Sequence, residues 1–177
     1  GVYSGSGVTD DGNGMTYSFD PAVATAGTHN LTYTFTDANG CTNSASDMVE
    51  VFALPVVAFT APADLCIDAG VQTNLDGGTP PQGTATGDMG VYSGTGVTDD
   101  RNGMTYSFDP AAAGIGTHTI TYDFTDANGC SGSASDDVEV FALPLVSFHI
   151  PAAQDTFCID DVVHSIGGGL PTGGVYS

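Results

Sequence analysis

The sequence predicts an all-β fold, built as a tandem array of two-sheet sandwiches. Three observations carry this reading. Residues 1–57 return at 90–146, shifted by 89 positions, with 45 of 57 residues identical. Self-similarity at a fixed period marks one supersecondary unit copied in series. Within each copy, short apolar runs alternate with period two and are separated by Gly, Asn and Asp turn signals. No stretch carries a helical period with caps.

A third copy begins at Gly174-Val175-Tyr176-Ser177, which repeats Gly1-Val2-Tyr3-Ser4 and Gly90-Val91-Tyr92-Ser93. The sequence ends therefore fall inside units. Residues 1–54 read as the C-terminal part of one repeat, 55–143 as a complete repeat, and 144–177 as the N-terminal part of the next. The chain reads as a window on something longer or self-associating. A covalent array is the preferred form, because the end fragments would otherwise expose unpaired strand edges.

Phe52-Ala53-Leu54-Pro55 and Phe141-Ala142-Leu143-Pro144 are the junctions, since Pro stops a strand and stiffens a short connection. After the first junction, Val56 to Thr60 forms a short apolar strand. Leu65-Cys66-Ile67 and Val71 to Leu75 supply the next. Gly77 to Pro81 breaks regular structure. Val91-Tyr92-Ser93 and Gly96-Val97-Thr98 are strand pieces. They lead to Asp99-Asp100-Arg101-Asn102-Gly103 and a returning strand, Met104 to Phe108. Asn-Gly between apolar runs is a strong hairpin signal, because both residues tolerate φ > 0. Asp109-Pro110 closes that strand, and Ala111 to Gly116 crosses over. From Thr117 to Asp126, Ile120, Tyr122 and Phe124 share one face, as Leu31, Tyr33 and Phe35 do in the first copy. That is a half-buried strand. A second Asn-Gly, Asn128-Gly129, precedes Cys130, and the last strand runs through Val138 and Val140.

Composition narrows the partners. The chain has one Lys or Arg (Arg101) against 21 Asp and Glu, for a formal net charge of −20. Nucleic acid is excluded as a partner, because its affinity depends on Lys and Arg neutralising phosphates. An anionic membrane surface is excluded on the same ground, and no apolar run is long enough for membrane insertion. Four cysteines in a Gly-rich chain without Lys point to an oxidising, extracytoplasmic setting.

The run Gly90-Val91-Tyr92-Ser93-Gly94, Phe108-Asp109-Pro110-Ala111, Gly116-Thr117-His118, Ile120-Thr121-Tyr122 and Asp126-Ala127-Asn128-Gly129-Cys130 resembles a known family. These are the immunoglobulin-like (PKD-like) repeats of very long secreted and cell-surface adhesins and filament proteins of Bacteroidota. The resemblance covers essentially the whole chain. It implies immunoglobulin-like sandwiches serving as spacers in an extracellular array, with no known active site. The segment Pro81 to Met89 departs from the corresponding Leu170 to Gly173 by its length.

Each unit has one Cys near its start (Cys66, Cys158) and one after the second Asn-Gly (Cys41, Cys130). Unit boundaries at 55 and 143 pair Cys66 with Cys130, closing a loop worth roughly 3 to 4 kcal/mol in the chain-entropy model. Cys41 and Cys158 then find partners outside this window or in other copies. The alternatives Cys41–Cys66 and Cys130–Cys158 would cross-link adjacent units.

The best cation candidates are Asp10, Asp11 and Asn13 with their copies Asp99, Asp100 and Asn102. Two carboxylates, an amide oxygen and turn carbonyls suit Ca²⁺. The competing reading is a plain turn with solvated Asp, and Arg101 weighs against a cation in the second copy. His29 and His118 read as packed or capping imidazoles. No nucleophile motif or phosphate loop occurs. The expected function is therefore non-enzymatic. The chain is a structural module of an extracellular, cell-surface bacterial filament or adhesin stalk, with identical or similar repeats as head-to-tail partners. The alternative is a calcium-dependent adhesion module that binds glycans or surfaces through loops such as Pro81 to Met89.

Overall fold

The computed structural model describes residues 1–81, 87–150, 152 and 155–175. The protein is all-β. The first copy contributes β1 (Val2–Ser4), β2 (Val8–Asp10), β3 (Tyr17–Phe19), a single helical turn α1 (Pro21–Ala24), β4 (Gly27–Thr36) and β5 (Thr42–Val51). They form a sheet of order β1-β4-β5 and a separate β2-β3 pair.

Residues 55–143 contain everything the first copy has, plus two strands in front. These are β6 (Leu65–Cys66), β7 (Gln72–Leu75), β8 (Met89–Ser93), β9 (Val97–Asp99), β10 (Tyr106–Phe108), α2 (Pro110–Ala113), β11 (Gly116–Thr125) and β12 (Ser131–Phe141). One sheet has the order β6-β12-β11-β8 and the other β7-β10-β9. The spine is the antiparallel β11–β12 ladder, in unbroken register from Gly116↔Val140 to Thr125↔Ser131. β6 joins β12 in parallel, Val140 beside Leu65 and Phe141 beside Cys66.

The two sheets share one core. Ile120, Tyr122 and Phe124 of β11 point inward, as their period-two spacing predicts, and meet Tyr106 and Phe108 of the other sheet. Tyr92 stacks on Tyr106 at 4.5 Å between ring centroids and lies 4.6 Å from Tyr122. Gly90 permits this packing: a Cβ there would fall on the Tyr122 ring and hydroxyl. Phe59, Val57, Leu65 and Leu75 close the front of the core.

In residues 1–51 the same aromatic core is built but uncovered. Tyr3 lies 4.6 Å from Tyr17 and 4.7 Å from Tyr33. Tyr17 is 42% exposed where Tyr106 is fully buried, and Phe35 is 51% exposed where Phe124 is 2% exposed. Residues 144–175 hold the pair β13 (Ser147–Phe148) and β14 (Gly169–Leu170), with Ser147 opposite Leu170.

Three local expectations are corrected. Asp-Pro does more than end a strand: Asp109 caps a helical turn, its carboxylate accepting from the backbone N–H of Ala111 and Ala112, with Pro110 in the first turn. Asp20 does the same for α1. The Asn-Gly pairs lie in longer loops, in which Gly103 and Gly129 take positive φ and Asn102 and Asn128 do not. The run at 56–60 forms no regular strand: it carries an isolated bridge between Ala58 and Thr79, and the Thr60 N–H donates to the Gly77 carbonyl at 3.2 Å. Of the long loop Pro81 to Met89, residues 82–86 lie outside the described residues, as do Tyr176 and Ser177.

Candidate functional site: acidic loops, thiols and open sheet faces

The loop between β9 and β10 brings Asp99, Asp100 and Asn102 together, and their oxygens accept hydrogen bonds from the loop and from neighbouring β8. Asp99 accepts from Tyr92 N–H at 2.7 Å and Arg101 N–H at 2.6 Å. Asp100 accepts from the Thr105 hydroxyl at 2.7 Å. Asn102 Oδ1 accepts from Met104 and Thr105 N–H, both at 2.8 Å. The first copy repeats this with Asp10, Asp11 and Asn13. The Tyr3 N–H, then the Gly12 N–H, hold the Asp10 carboxyl below the usual carboxylate range. Side chains that accept backbone N–H groups in this way fix turn geometry. Among the described residues, no group of three or more His, Cys, Asp or Glu is placed to hold a metal ion.

The second loop works alike. Asp126 Oδ1 accepts from Asn128 and Cys130 N–H, both at 2.9 Å. Asp37 takes the same role, and the Cys41 N–H is the main cause of its lowered pKa. The two equivalent histidines are tied to the helical turns. His118 Nε2 lies 2.8 Å from the Gly114 carbonyl, and His29 Nε2 lies 2.8 Å from that of Thr25.

All four cysteines are free thiols. The expected Cys66–Cys130 bridge is corrected by strand direction. Cys130 immediately precedes β12, whereas Cys66 lies beside Phe141 at its far end. Ten steps of strand at about 3.3 Å separate those ends by ~33 Å, whereas a disulfide needs Cα atoms within about 7 Å. Counting residues per unit missed this. The informative signal is that the first segment of the unit runs parallel to the last strand. Its rungs are the Ala61 N–H donating to Asp136 at 3.0 Å and the Glu139 N–H donating to Asp64 at 3.0 Å.

Sequence reasoning also passed over the phenols. The Tyr92 hydroxyl donates to the Met104 carbonyl and accepts from the Gly78 N–H, both at 3.2 Å. Tyr122 donates to the Pro80 carbonyl at 2.7 Å. The Tyr106 hydroxyl is buried without a hydrogen-bond partner among the described residues. Burial pushes the Tyr122 phenol up to about 12 and raises those of Tyr92 and Tyr106 as well.

The described residues also form apolar grooves. One, of about 440 Å³, lies on residues 1–51 between Tyr3, Tyr17, Phe19, Leu31 and Val49. The other, of about 790 Å³, lies among Pro144, Val146, Phe148, Leu170 and Val175. No helix among the described residues is long and apolar enough to cross a membrane. No family model matches this chain, and no curated protein matches it.

Proposed function

We propose that this protein is a non-catalytic structural repeat of an extracellular filament or adhesin stalk on a bacterial surface, with immunoglobulin-like sandwiches arranged head to tail. The observation that carries this reading is that the first and last segments of the unit run parallel along one another. Ala61 is tied to Asp136, Asp64 to Glu139, and Leu65–Cys66 to Val140–Phe141. Tension applied through residues 55 and 143 loads these contacts in shear, so they must break together rather than one at a time. A module built this way resists extension without any covalent staple.

Sequence supports the same reading. Two copies share 45 of 57 aligned residues, so they do not hold separate active sites. The acidic loops direct their oxygens to N–H and hydroxyl groups of the loop and the adjacent strand, which favours a turn-forming role. The charge of −20 keeps neighbouring fibres apart at low salt. Immunogold labelling with an antibody to residues 55–143 tests the proposal. Decorated fibres on intact cells are expected, and label that appears only after permeabilisation would refute it.

A further inference from the structure

We propose that Asn128 and Asn39 are sites of covalent modification, where Asn-Gly converts to aspartate and isoaspartate, while Asn102 and Asn13 of the same chain are protected from it. Four Asn-Gly pairs occur, at 13–14, 39–40, 102–103 and 128–129. The dipeptide is the same in all four, so the fold alone separates them.

The step is intramolecular. The backbone nitrogen of the glycine attacks Cγ of the asparagine. The N–Cγ bond forms, the Cγ–Nδ2 bond breaks, and ammonia leaves with the proton. Water then adds to either carbonyl of the five-membered imide and opens it. One opening gives aspartate, and the other gives isoaspartate, whose main chain runs through the side-chain carbon. The net change turns asparagine and water into a carboxylic acid and ammonia. It needs an asparagine side chain free to rotate over the next amide, and a glycine amide that water can reach. Glycine favours it because no Cβ blocks the approach.

Asn102 meets neither need. Its Oδ1 accepts from the Met104 and Thr105 N–H groups, both at 2.8 Å, and its Nδ2 donates to the Thr105 hydroxyl at 2.8 Å. Rotation of the side chain breaks all three bonds. Gly103 is buried, and its carbonyl is packed against Gly90, where a Cβ would lie 2.8 Å from that oxygen. Asn13 holds the same three bonds, to Met15 and Thr16.

Asn128 lies in the other loop and is exposed, as is Gly129. Its backbone N–H is held by Asp126, and its side-chain amide has no hydrogen-bond partner among the described residues. A Cβ at Gly129 or Gly40 would meet nothing within 4 Å. Asn39 makes one long side-chain bond, Nδ2 to Asp37 at 3.3 Å. One contact opposes the attack. The Gly129 N–H donates to the Asp126 carbonyl at 3.0 Å, and Gly40 does likewise to Asp37 at 3.1 Å. Both lie in exposed turns, where water replaces the bond. Gly103 and Gly129 both take positive φ, so backbone region does not separate them.

The modification has a structural consequence. Asp126 Oδ1 holds the Asn128 and Cys130 N–H groups together, each at 2.9 Å. Isoaspartate at 128 inserts a main-chain carbon between these two groups and adds a carboxylate beside Asp126. The turn that closes the β11–β12 ladder beyond Thr125↔Ser131 is thereby loosened. The inference is independent of where the protein resides.

The test is incubation of the 1–177 chain at mildly alkaline pH, folded and in urea, followed by peptide mapping by mass spectrometry. Isoaspartate is scored with an isoaspartyl methyltransferase. In the folded chain Asn128 and Asn39 are expected to convert at least about tenfold faster than Asn102 and Asn13, since three hydrogen bonds at their usual net worth exceed a tenfold factor. In urea the four rates converge. Thr105→Val, which removes the hydroxyl partner of Asn102, speeds conversion at Asn102 and leaves Asn128 unchanged. Equal rates at the four sites of the folded chain, or faster conversion at Asn102 and Asn13, would overturn the inference. So would a difference that persists unchanged in urea, because the fold would not be its cause.

Discussion

Phe35 and Phe124 are the same residue in two copies of one sequence, and the account predicts very different costs for losing them. Phe124 is 2% exposed and Phe35 is 51% exposed. A buried Phe→Ala substitution costs about 3–5 kcal/mol, part of it from the cavity left behind. At position 35 about half the ring is already in water and no closed cavity forms, so the cost falls below about 2 kcal/mol. The difference of about 2 kcal/mol is roughly thirtyfold in an opening constant. The assay is native-state hydrogen exchange on the 1–177 chain at low protein concentration. Phe124→Ala should speed exchange of β11–β12 amides by two to three orders of magnitude, at ~1.4 kcal/mol per tenfold. Phe35→Ala should speed β4–β5 exchange far less. Equal acceleration in the two ladders would mean that residues 1–51 already possess a closed core, and the reasoning would be wrong.

Tyr106→Phe should stabilise the complete unit by about 1 kcal/mol, because it removes a buried hydroxyl with no partner among the described residues; a lower melting temperature would refute this. Tyr122 ionises in the fold only near 12, against an ordinary phenol at 10.0. The raised value means that its stabilisation is whole below pH 10 and lost as pH climbs toward 12, which absorbance titration at 295 nm checks against the denatured chain. Asp136 has the opposite sign. The Ala61 N–H lowers its pKa from 3.8, so its contribution is present above that value and disappears as pH falls through the lower folded one. The stability gap between wild type and Asp136→Asn should therefore close in acid, and a gap constant from neutral to strongly acidic pH would contradict it. Peptide mapping after equilibration with oxidised and reduced glutathione should find no Cys66–Cys130 peptide, and its presence would show that strand β12 is misplaced.

Much of the fold was legible because one β-strand signal is strong. Alternation at Ile120, Tyr122 and Phe124 identified both the strand and its buried face, and all three lie in the core. The partner strand was harder. β12 begins Ser-Gly-Ser-Ala-Ser-Asp-Asp, with no apolar alternation until Val138 and Val140, so its first half is specified by pairing with β11 rather than by its own side chains. The helical turns were missed because four residues are too few to show a period. Their signal was the cap, Asp followed by Pro and small residues. The candidate cation residues are near neighbours in sequence, but spacing does not reveal that Asn102 and Asp99 direct their oxygens to backbone N–H groups. The cysteine pairing failed for a related reason. Sequence separation says nothing about which end of β12 faces Cys66, and the parallel β6–β12 contact decides it.

The most direct test of a fibre of sandwiches in series is its axial repeat. β12 spans ~33 Å, and a three-residue junction adds a few ångströms, so each unit advances the fibre by about 40 Å. Electron microscopy of the native material, with averaging along straight segments, should give an unbranched fibre with a repeat near that length. Compact particles, or fibres whose axial repeat is unrelated to the length of one unit, would contradict the account.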